Sequence, residues 1–452
     1  MSNNIKKSNT FQLNQTKTLS TVLVLFGLTA HFSISLSQIF FGVLLFIWLI
    51  DIFSKLFLNK SISMEKKVAE YFKDYHVIKD ISLVVLVYVI QKIVYVIFSE
   101  NPSKEFNASG DMWLIFFFFF IFYKLYDKKH VNYLIIGLLI GGALTGLYNI
   151  KLLDPKIFYV IYRRAGGFNS MHPLTYAGIT ALTIILSLYM VISSIIKKKL
   201  YIKALFIFLL IFTVFGFFLS KSAGVYISFF FIILFNLTIL LKKKMILILS
   251  LIILLPVMLF SYSKRVRYVF ERTTFDYSGK TQSSLDQRLI FWRTGIKMWL
   301  ERPLLGTSET NYMKIYQLNK YPEAKGVAST GSHMHNDLLD TLVRFGSIGF
   351  TLQLMFYLFP VITFFRRMDY FLESEEKWMI LSSLSAIVMM FLMGLTQCHF
   401  RDDEVQILFW AAMGIFYRSI HNVENDNEKR NISKTNNRKI KDNKKLKANY
   451  TL

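Results

Sequence analysis

The 452-residue chain has a single cysteine, Cys398, and only seven prolines. One thiol excludes a disulfide framework and leaves no CxxC pair for a metal ribbon. Charge is scarce too: Asp, Glu, Lys and Arg make up 18% of the residues, where soluble domains carry about 25%. There is no Walker-type loop, no Gly-rich nucleotide fingerprint and no repeat of helical-pair length, so ATP-driven transport has no support. What fills the chain is apolar. Hydrophobic residues reach 54%, aromatic residues 16% with 44 Phe, and mean hydropathy is +0.41. They are blocked into runs long enough to cross a bilayer, which a soluble core does not need. A soluble enzyme, a disordered chain and a small disulfide scaffold are excluded. The composition predicts an all-α polytopic membrane protein.

At roughly 20 apolar residues per span, twelve spans are predicted, at about 19–34, 36–54, 80–98, 111–126, 131–149, 173–195, 202–219, 223–241, 245–262, 338–365, 378–397 and 404–419. They divide the chain into an N-terminal segment (1–18), nine spans with short loops (19–262), one large loop (263–337), three further spans (338–421) and a Lys/Asn-rich tail (422–452). The net charge of +24 would suggest nucleic acid in a soluble protein. In a membrane chain it reflects Lys and Arg gathered in cytoplasmic loops, and no nucleic-acid partner is expected. Alternate connections carry Lys6, Lys7 and Lys17; Lys60, Lys66, Lys67 and Lys73; Lys128 and Lys129; Lys197 to Lys199; Lys242 to Lys244; and Arg366 with Arg367. Twelve spans put all of these on one side and both termini in the cytoplasm. The first span runs almost directly into the second and ends on a poor cleavage site, so it reads as a span and not as a signal peptide. The tail, with nine Lys/Arg against four Asp/Glu and few apolar residues, reads as disordered.

Three connections on the opposite side break the charge rule. The fifth-to-sixth contains Arg163 and Arg164 and ends in His172 and Pro173; the seventh-to-eighth is only Ser220-Lys221-Ser222-Ala223-Gly224; the ninth-to-tenth carries twelve Lys/Arg against six Asp/Glu. Lys221 has almost no loop to lift it from the membrane, and ionisable groups at such depth are functional candidates; snorkelling to the interface is the plainer alternative. In the long loop, Leu285, Leu289, Trp292, Ile296, Trp299 and Leu300 share one helical face, with Arg288 beside the two tryptophans at 100° per residue. That predicts a helix lying on the outer leaflet, presenting a guanidinium to the membrane. His335 opens the tenth span, where a neutral imidazole can take a proton from a hydroxyl and Asn336 can orient a partner. Gly346 and Gly349 are expected to admit a close neighbouring helix. Guanidinium and ammonium groups near the bilayer surface suit a diphosphate headgroup. Together these residues suggest group transfer from a lipid diphosphate. A metal cluster of His172, His333, His335 and His399 fits no zinc spacing, and no metal or cofactor is expected. Asp402, Asp403 and Glu404 are a rival base or metal site, or simply favourable acids at a helix N-terminus. A lipid-linked-sugar transporter would place charges near the midplane of matching halves; here the spans read as nearly free of charge.

At these residues the chain resembles the O-antigen ligase/polymerase superfamily of bacterial glycosyltransferases. Arg164-Ala-Gly-Gly-Phe168 with His172-Pro-Leu-Thr-Tyr-Ala-Gly178 is similar to the family's entry to its sixth span. Ser220 to Gly224 resembles its Ser-Arg-x-x-Gly turn, with Lys221 where Arg is usual. Arg288-x-x-x-Trp292, Glu301-Arg-Pro-Leu-Leu-Gly306 and His335-Asn-Asp-Leu-Leu-Asp-Thr-Leu-Val-Arg-Phe-Gly346 resemble its long-loop signature, without the second Gly expected after Gly306. The resemblance implies a metal-independent, inverting transferase of the GT-C type, with a periplasmic loop as lid, in the inner membrane. It implies an undecaprenyl-diphosphate-linked glycan as donor and lipid A-core as acceptor. Polymerization of a second lipid-linked repeat, or transfer to protein, is the alternative. It further implies that Arg288 and Lys221 hold the diphosphate, with Arg164 secondary, and that His335 activates the acceptor. Arg163, His172, Ser220, Ser222, Trp292 and Asn336 would be supporting residues.

Overall fold

The computed structural model describes residues 2–58, 63–99, 101–125, 127–150, 166, 171–197, 200–241, 284–308 and 333–449. Arg163, Arg164, the predicted ninth span at 245–262 and most of the long loop lie outside these. In chain order the helices are α1 (Ser2–Thr29), α2 (Ile34–Phe53), α3 (Met64–Tyr71), α4 (Tyr75–Phe98), α5 (Pro102–Ala108), α6 (Phe116–Lys124), α7 (Lys128–Tyr148), α8 (Pro173–Lys197), α9 (Leu200–Leu219), α10 (Ala223–Leu241), α11 (Ser284–Glu301), α12 (Asp337–Arg366), α13 (Met368–Leu372), α14 (Lys377–Gly394) and α15 (Asp403–Asn449). No strand occurs among the described residues. Nine helical stretches among them are long and apolar enough to cross a membrane, and Thr16–Thr29 adds a shorter one. The chain is an all-α, multi-pass membrane protein.

Lipid tails are as apolar as leucine, so helices here associate through packing and close approach more than through burial from water. α7 shows how. It lies between α1 and α9, and a Cβ on Gly137 would fall 2.2 Å from Val24 O, one on Gly146 2.0 Å from Phe212 O. Backbone therefore meets backbone on both sides of α7. The buried centre is formed by α8, α14 and the first five turns of α15, from Val405 to Ile420. The predicted span at 111–126 is a composite: α5, a 3-10 stretch over Gly110–Ile115, then α6. The 3-10 stretch brings Asp111 against Lys92 of α4, whose Nζ donates to its Oδ1 at 2.5 Å, while Gln406 of α15 donates to its Oδ2.

Two sequence expectations need correction. The tail read as disordered continues α15 to Asn449; no Gly or Pro follows Gly414, so nothing local stops the helix. Nor are the spans nearly free of charge. Lys92 is 2% exposed, and Asp337, Asp340 and Arg344 are all buried near the start of α12. Arg344 Nε pairs with Asp340 Oδ2 at 2.8 Å, and Arg401 lies 3.9 Å from the same oxygen. Lys92, Asp340 and Arg344 each have a partner of opposite sign, which makes their burial tolerable, while Asp337 accepts from Phe400 N at 2.9 Å.

α12 is broken at Gly346 (φ 64°, ψ −167°). The turn after α11 is stitched into the break. Thr307 N donates to Val343 O (2.9 Å) and Ser308 N to Arg344 O (2.9 Å); Ser347 N donates to Pro303 O (2.8 Å) and Ile348 N to Leu304 O (3.4 Å). Gln91 of α4 donates to Phe345 O at 2.9 Å. These bonds satisfy the backbone groups that the break would otherwise orphan, at a cost of several kcal/mol each in lipid. Both turn glycines are forced: Gly306 (φ 75°) and Gly346 approach so closely that a Cβ on either would meet the other segment's backbone at 2.6 Å or less. Gly346 thus serves a helix break, and not the close helix pair expected of it.

Candidate functional site

His335 sits in the two-residue bend before α12, with its backbone in the left-handed region (φ 52°). That costs a non-glycine residue about 1–2 kcal/mol, and such strain gathers at functional positions. Asn336 caps α12, its Oδ1 accepting from Leu339 N at 3.0 Å and its Nδ2 donating to Leu395 O at 3.1 Å. Its side chain therefore caps the helix and ties it to the end of α14. Behind it, Met334 N donates to Asp340 Oδ1. In front, Trp292 of α11 donates its indole N–H to Met334 O at 2.9 Å, and the Phe291 ring centroid lies 6.0 Å from that of His335. Strain at one residue is therefore held by partners on both flanks.

The ring itself is oriented by Gln397, in the connection between α14 and α15. His335 Nδ1 donates to Gln397 Oε1 at 2.8 Å, and Gln397 Nε2 donates to His333 Nε2 at 3.0 Å. With one amide so placed, His335 carries its proton on Nδ1 and its lone pair on Nε2, the nitrogen away from Gln397. Burial holds the His335 pKa below the ordinary 6.5; the nearby charges of Arg288 and His172 push the same way, while Gln397 and Asp340 oppose them. Burial also lowers His333 to about 4, helped by His335. Both rings are neutral at pH 7. Cys398, one residue beyond Gln397, is buried and its thiol is pushed well up by desolvation, so it does not supply a thiolate nucleophile.

The other expected cations approach from separate elements. Arg288, half-buried on α11, is close enough for its charge to act on His335. α11 spans Ser284–Glu301 as its periodicity predicts, but it packs on α12 through Phe291 and Met298 against Met334 and Val343. Ile296 and Leu300 of the expected face stay exposed. Trp299 is tied to Pro303 O and Ser347 Oγ at 3.0 and 3.2 Å. Lys221, like His335, has a left-handed backbone (φ 51°), between buried Ser220 and Ser222. Its turn meets the α14–α15 connection: a Cβ on Gly224 would lie 2.3 Å from Thr396 Oγ1, next to Gln397. His172 is exposed at the start of α8, its Nδ1 accepting from Leu174 N.

Two of the three rival acids, Asp402 and Asp403, have structural partners. Thr175 donates to Asp402 Oδ2 at 3.0 Å and Gln38 to Asp403 Oδ2 at 2.9 Å, tying α8 and α2 to the start of α15. His399 is fully buried, 3.5 Å from Asp402. Among the described residues no three His, Cys, Asp or Glu side chains converge as a cation site. Gln397 was the residue that sequence reasoning missed. A lone Gln in a short connection carries no motif, and only the fold brings it between two histidines 62 and 64 positions away.

Residues 208–354 match the family described as O-antigen ligase. That span contains the Ser220–Gly224 turn and the whole long-loop signature, and stops after Gly349. No curated protein matches the chain. Between its multi-pass helical fold and this match, activity of the O-antigen ligase or polymerase type is supported in general terms. Residues 208–354 are thus similar to the O-antigen ligase family, which supports the chain's resemblance to the O-antigen ligase/polymerase superfamily.

Proposed function

We propose that this chain is an O-antigen ligase of the bacterial inner membrane, transferring a glycan from undecaprenyl diphosphate to a sugar hydroxyl of lipid A-core at the periplasmic face. The observation that carries the chemistry is the pairing of His335 Nδ1 with Gln397. It leaves Nε2 as the basic nitrogen, beside Arg288 and in a bend held on both sides. In the proposed step Nε2 accepts the proton of the acceptor hydroxyl as its oxygen attacks the anomeric carbon. The bond from that carbon to the diphosphate breaks, and inversion follows from attack on the opposite face. Charge grows on the leaving diphosphate, and Arg288 and Lys221 stabilise it, with Arg164 as a further contact. Prealigned cations act most strongly in a water-poor site, and with them in place the step needs no metal. The enzyme then belongs to the metal-independent, GT-C-like inverting transferases. Purified protein should keep activity in EDTA; loss restored by magnesium or manganese would refute this part.

The deciding experiment separates the acceptors. Lipopolysaccharide and lipid-linked glycan are run on gels from cells lacking the gene. Lipid A-core without any repeat unit, with polymer accumulating on the lipid carrier, identifies the ligase. Lipid A-core still bearing one repeat unit but no ladder identifies a polymerase and overturns the proposal, and unchanged lipopolysaccharide with loss of a protein-linked glycan overturns it in favour of transfer to protein.

A further inference from the structure

A recess lies between α4 and the turn that is hydrogen-bonded into the α12 break. Its volume is about 760 Å³, within the range of small-molecule and lipid sites, and its walls are the last two turns of α4 and the Arg302–Ser308 turn. Most of the lining is apolar: Val94, Phe98, Leu304 and Leu305. Phe98, Leu304 and Leu305 are 81%, 65% and 53% exposed, at the end of a membrane-crossing helix, where acyl chains and headgroups meet. Polar side chains also line it, Gln91, Tyr95, Ser99 and Thr307 among them, and two matter most here. Arg302 is exposed on the wall. Ser308 is only 6% exposed, holds a left-handed backbone (φ 72°), and its Oγ has no hydrogen-bond partner among the described residues. A buried, unpartnered hydroxyl in a strained residue is a cost that a ligand can remove.

We propose that this recess binds one anionic phospholipid, its acyl chain along Val94, Phe98, Leu304 and Leu305 and its phosphate between the Arg302 guanidinium and the Ser308 hydroxyl. Arg suits phosphate because its fork of donors matches two oxygens at once. A soluble anion has no use for the apolar wall, and an uncharged lipid has none for the guanidinium. The occupant would lie against the turn that is hydrogen-bonded into α12, whose N-terminal cap adjoins His335, so the same element carries both sites. The site is independent of the transfer chemistry proposed above.

The test is native mass spectrometry of the purified full-length chain in neutral detergent. It is titrated with dioleoyl phosphatidylglycerol, with dioleoyl phosphatidylcholine, and with inorganic phosphate. One phosphatidylglycerol should be retained at least tenfold more tightly than phosphatidylcholine, and millimolar phosphate should not displace it. Arg302→Glu and Leu304→Trp should each weaken retention tenfold or more, the first by reversing the charge and the second by filling the recess. Ser308→Gly should weaken it a few-fold; glycine accepts φ 72° more readily than serine, so this variant keeps its fold and decides the matter if the others do not accumulate. Equal retention of the two lipids, retention unchanged in the variants, or displacement by phosphate alone would each overturn the proposal. None of these readouts involves glycan transfer, so failure here leaves the proposed function standing, and failure of His335 variants leaves this site standing.

Discussion

Replacing Gln397 tests the proposed catalytic geometry more sharply than removing His335. Gln397→Leu keeps the bulk of the side chain but takes away both hydrogen bonds, at 2.8 Å to His335 and 3.0 Å to His333. Each is worth about 1–1.5 kcal/mol, and the buried imidazole N–H of His335 is left unsatisfied. The ring then has no fixed tautomer and no fixed tilt. If only the bond to His335 bears on the transition state, the rate falls about tenfold; if the whole His–Gln–His array does, it falls about a hundredfold, at 1.4 kcal/mol per decade. Binding of donor and acceptor is not involved, so kcat should fall while KM holds. The pH profile supplies a readout that mere damage would not reproduce. The bond to Gln397 favours the protonated ring, so removing it lowers the His335 pKa further. His335 must be neutral to act, so the acid limb of kcat should move to lower pH in Gln397→Leu. Gln397→Glu should move it the other way, since a carboxylate favours the imidazolium. The assay is transfer of a lipid-linked glycan by the purified protein, measured from pH 4.5 to 8. A Gln397→Leu enzyme with kcat within twofold of the parent and an unmoved acid limb would refute the reasoning.

Further expectations follow from single contacts. His335→Ala and Arg288→Ala should each abolish transfer without lowering the amount of protein in the membrane; near-normal transfer in either removes that residue from the mechanism. Arg288→Gln should raise the acid limb of any residual activity, because the arginine charge holds the His335 pKa down; a downward shift would contradict this. Lys221→Arg should stay active and Lys221→Ala should not, judged by the same assay; equal activity would make the lysine a snorkelling residue. Gly346→Ala should destabilise the protein by about 3 kcal/mol or more, from left-handed strain and loss of bonds across the break; a thermal melt in detergent within 1 °C of the parent would argue against the stitched break. Lys92→Met should cost about 3–5 kcal/mol by leaving Asp111 buried without its cation, and Lys92→Met combined with Asp111→Leu should recover most of it; a double variant no more stable than the single one would show that the pair is not the unit.

The helices were legible because lipid demands long apolar runs. Predicted and observed limits agree within a few residues at 131–149, 202–219 and 223–241. What escaped were features set by tertiary partners. Nothing in the run from Met112 to Tyr123 reveals that its first four residues belong to a 3-10 stretch that starts at Gly110, where Asp111 meets Lys92 and Gln406. Gly346 was visible as a glycine, but its role depends on the turn some forty residues earlier. At the site, His335, Arg288 and Lys221 stood out because each is a charged or titratable residue where apolar sequence is expected. Gln397 is neither, and that Asn336 also caps a helix is not legible in one dimension. The Lys/Asn-rich tail misled through composition, which says how a segment meets water and little about whether its backbone is helical.

The stitched break of α12 bears on how substrates could enter. A loop that folds over a site is usually pictured as a lid swinging on two hinges. Here the segment from α11 to Ser308 supplies hydrogen bonds that α12 cannot make for itself. Lifting it would expose the break, and at several kcal/mol for each backbone group left unsatisfied in lipid the lifted form would be sparsely populated. α11 with its arginine is therefore a fixed jaw. Under the proposed function, a glycan would then have to enter from a side other than α11.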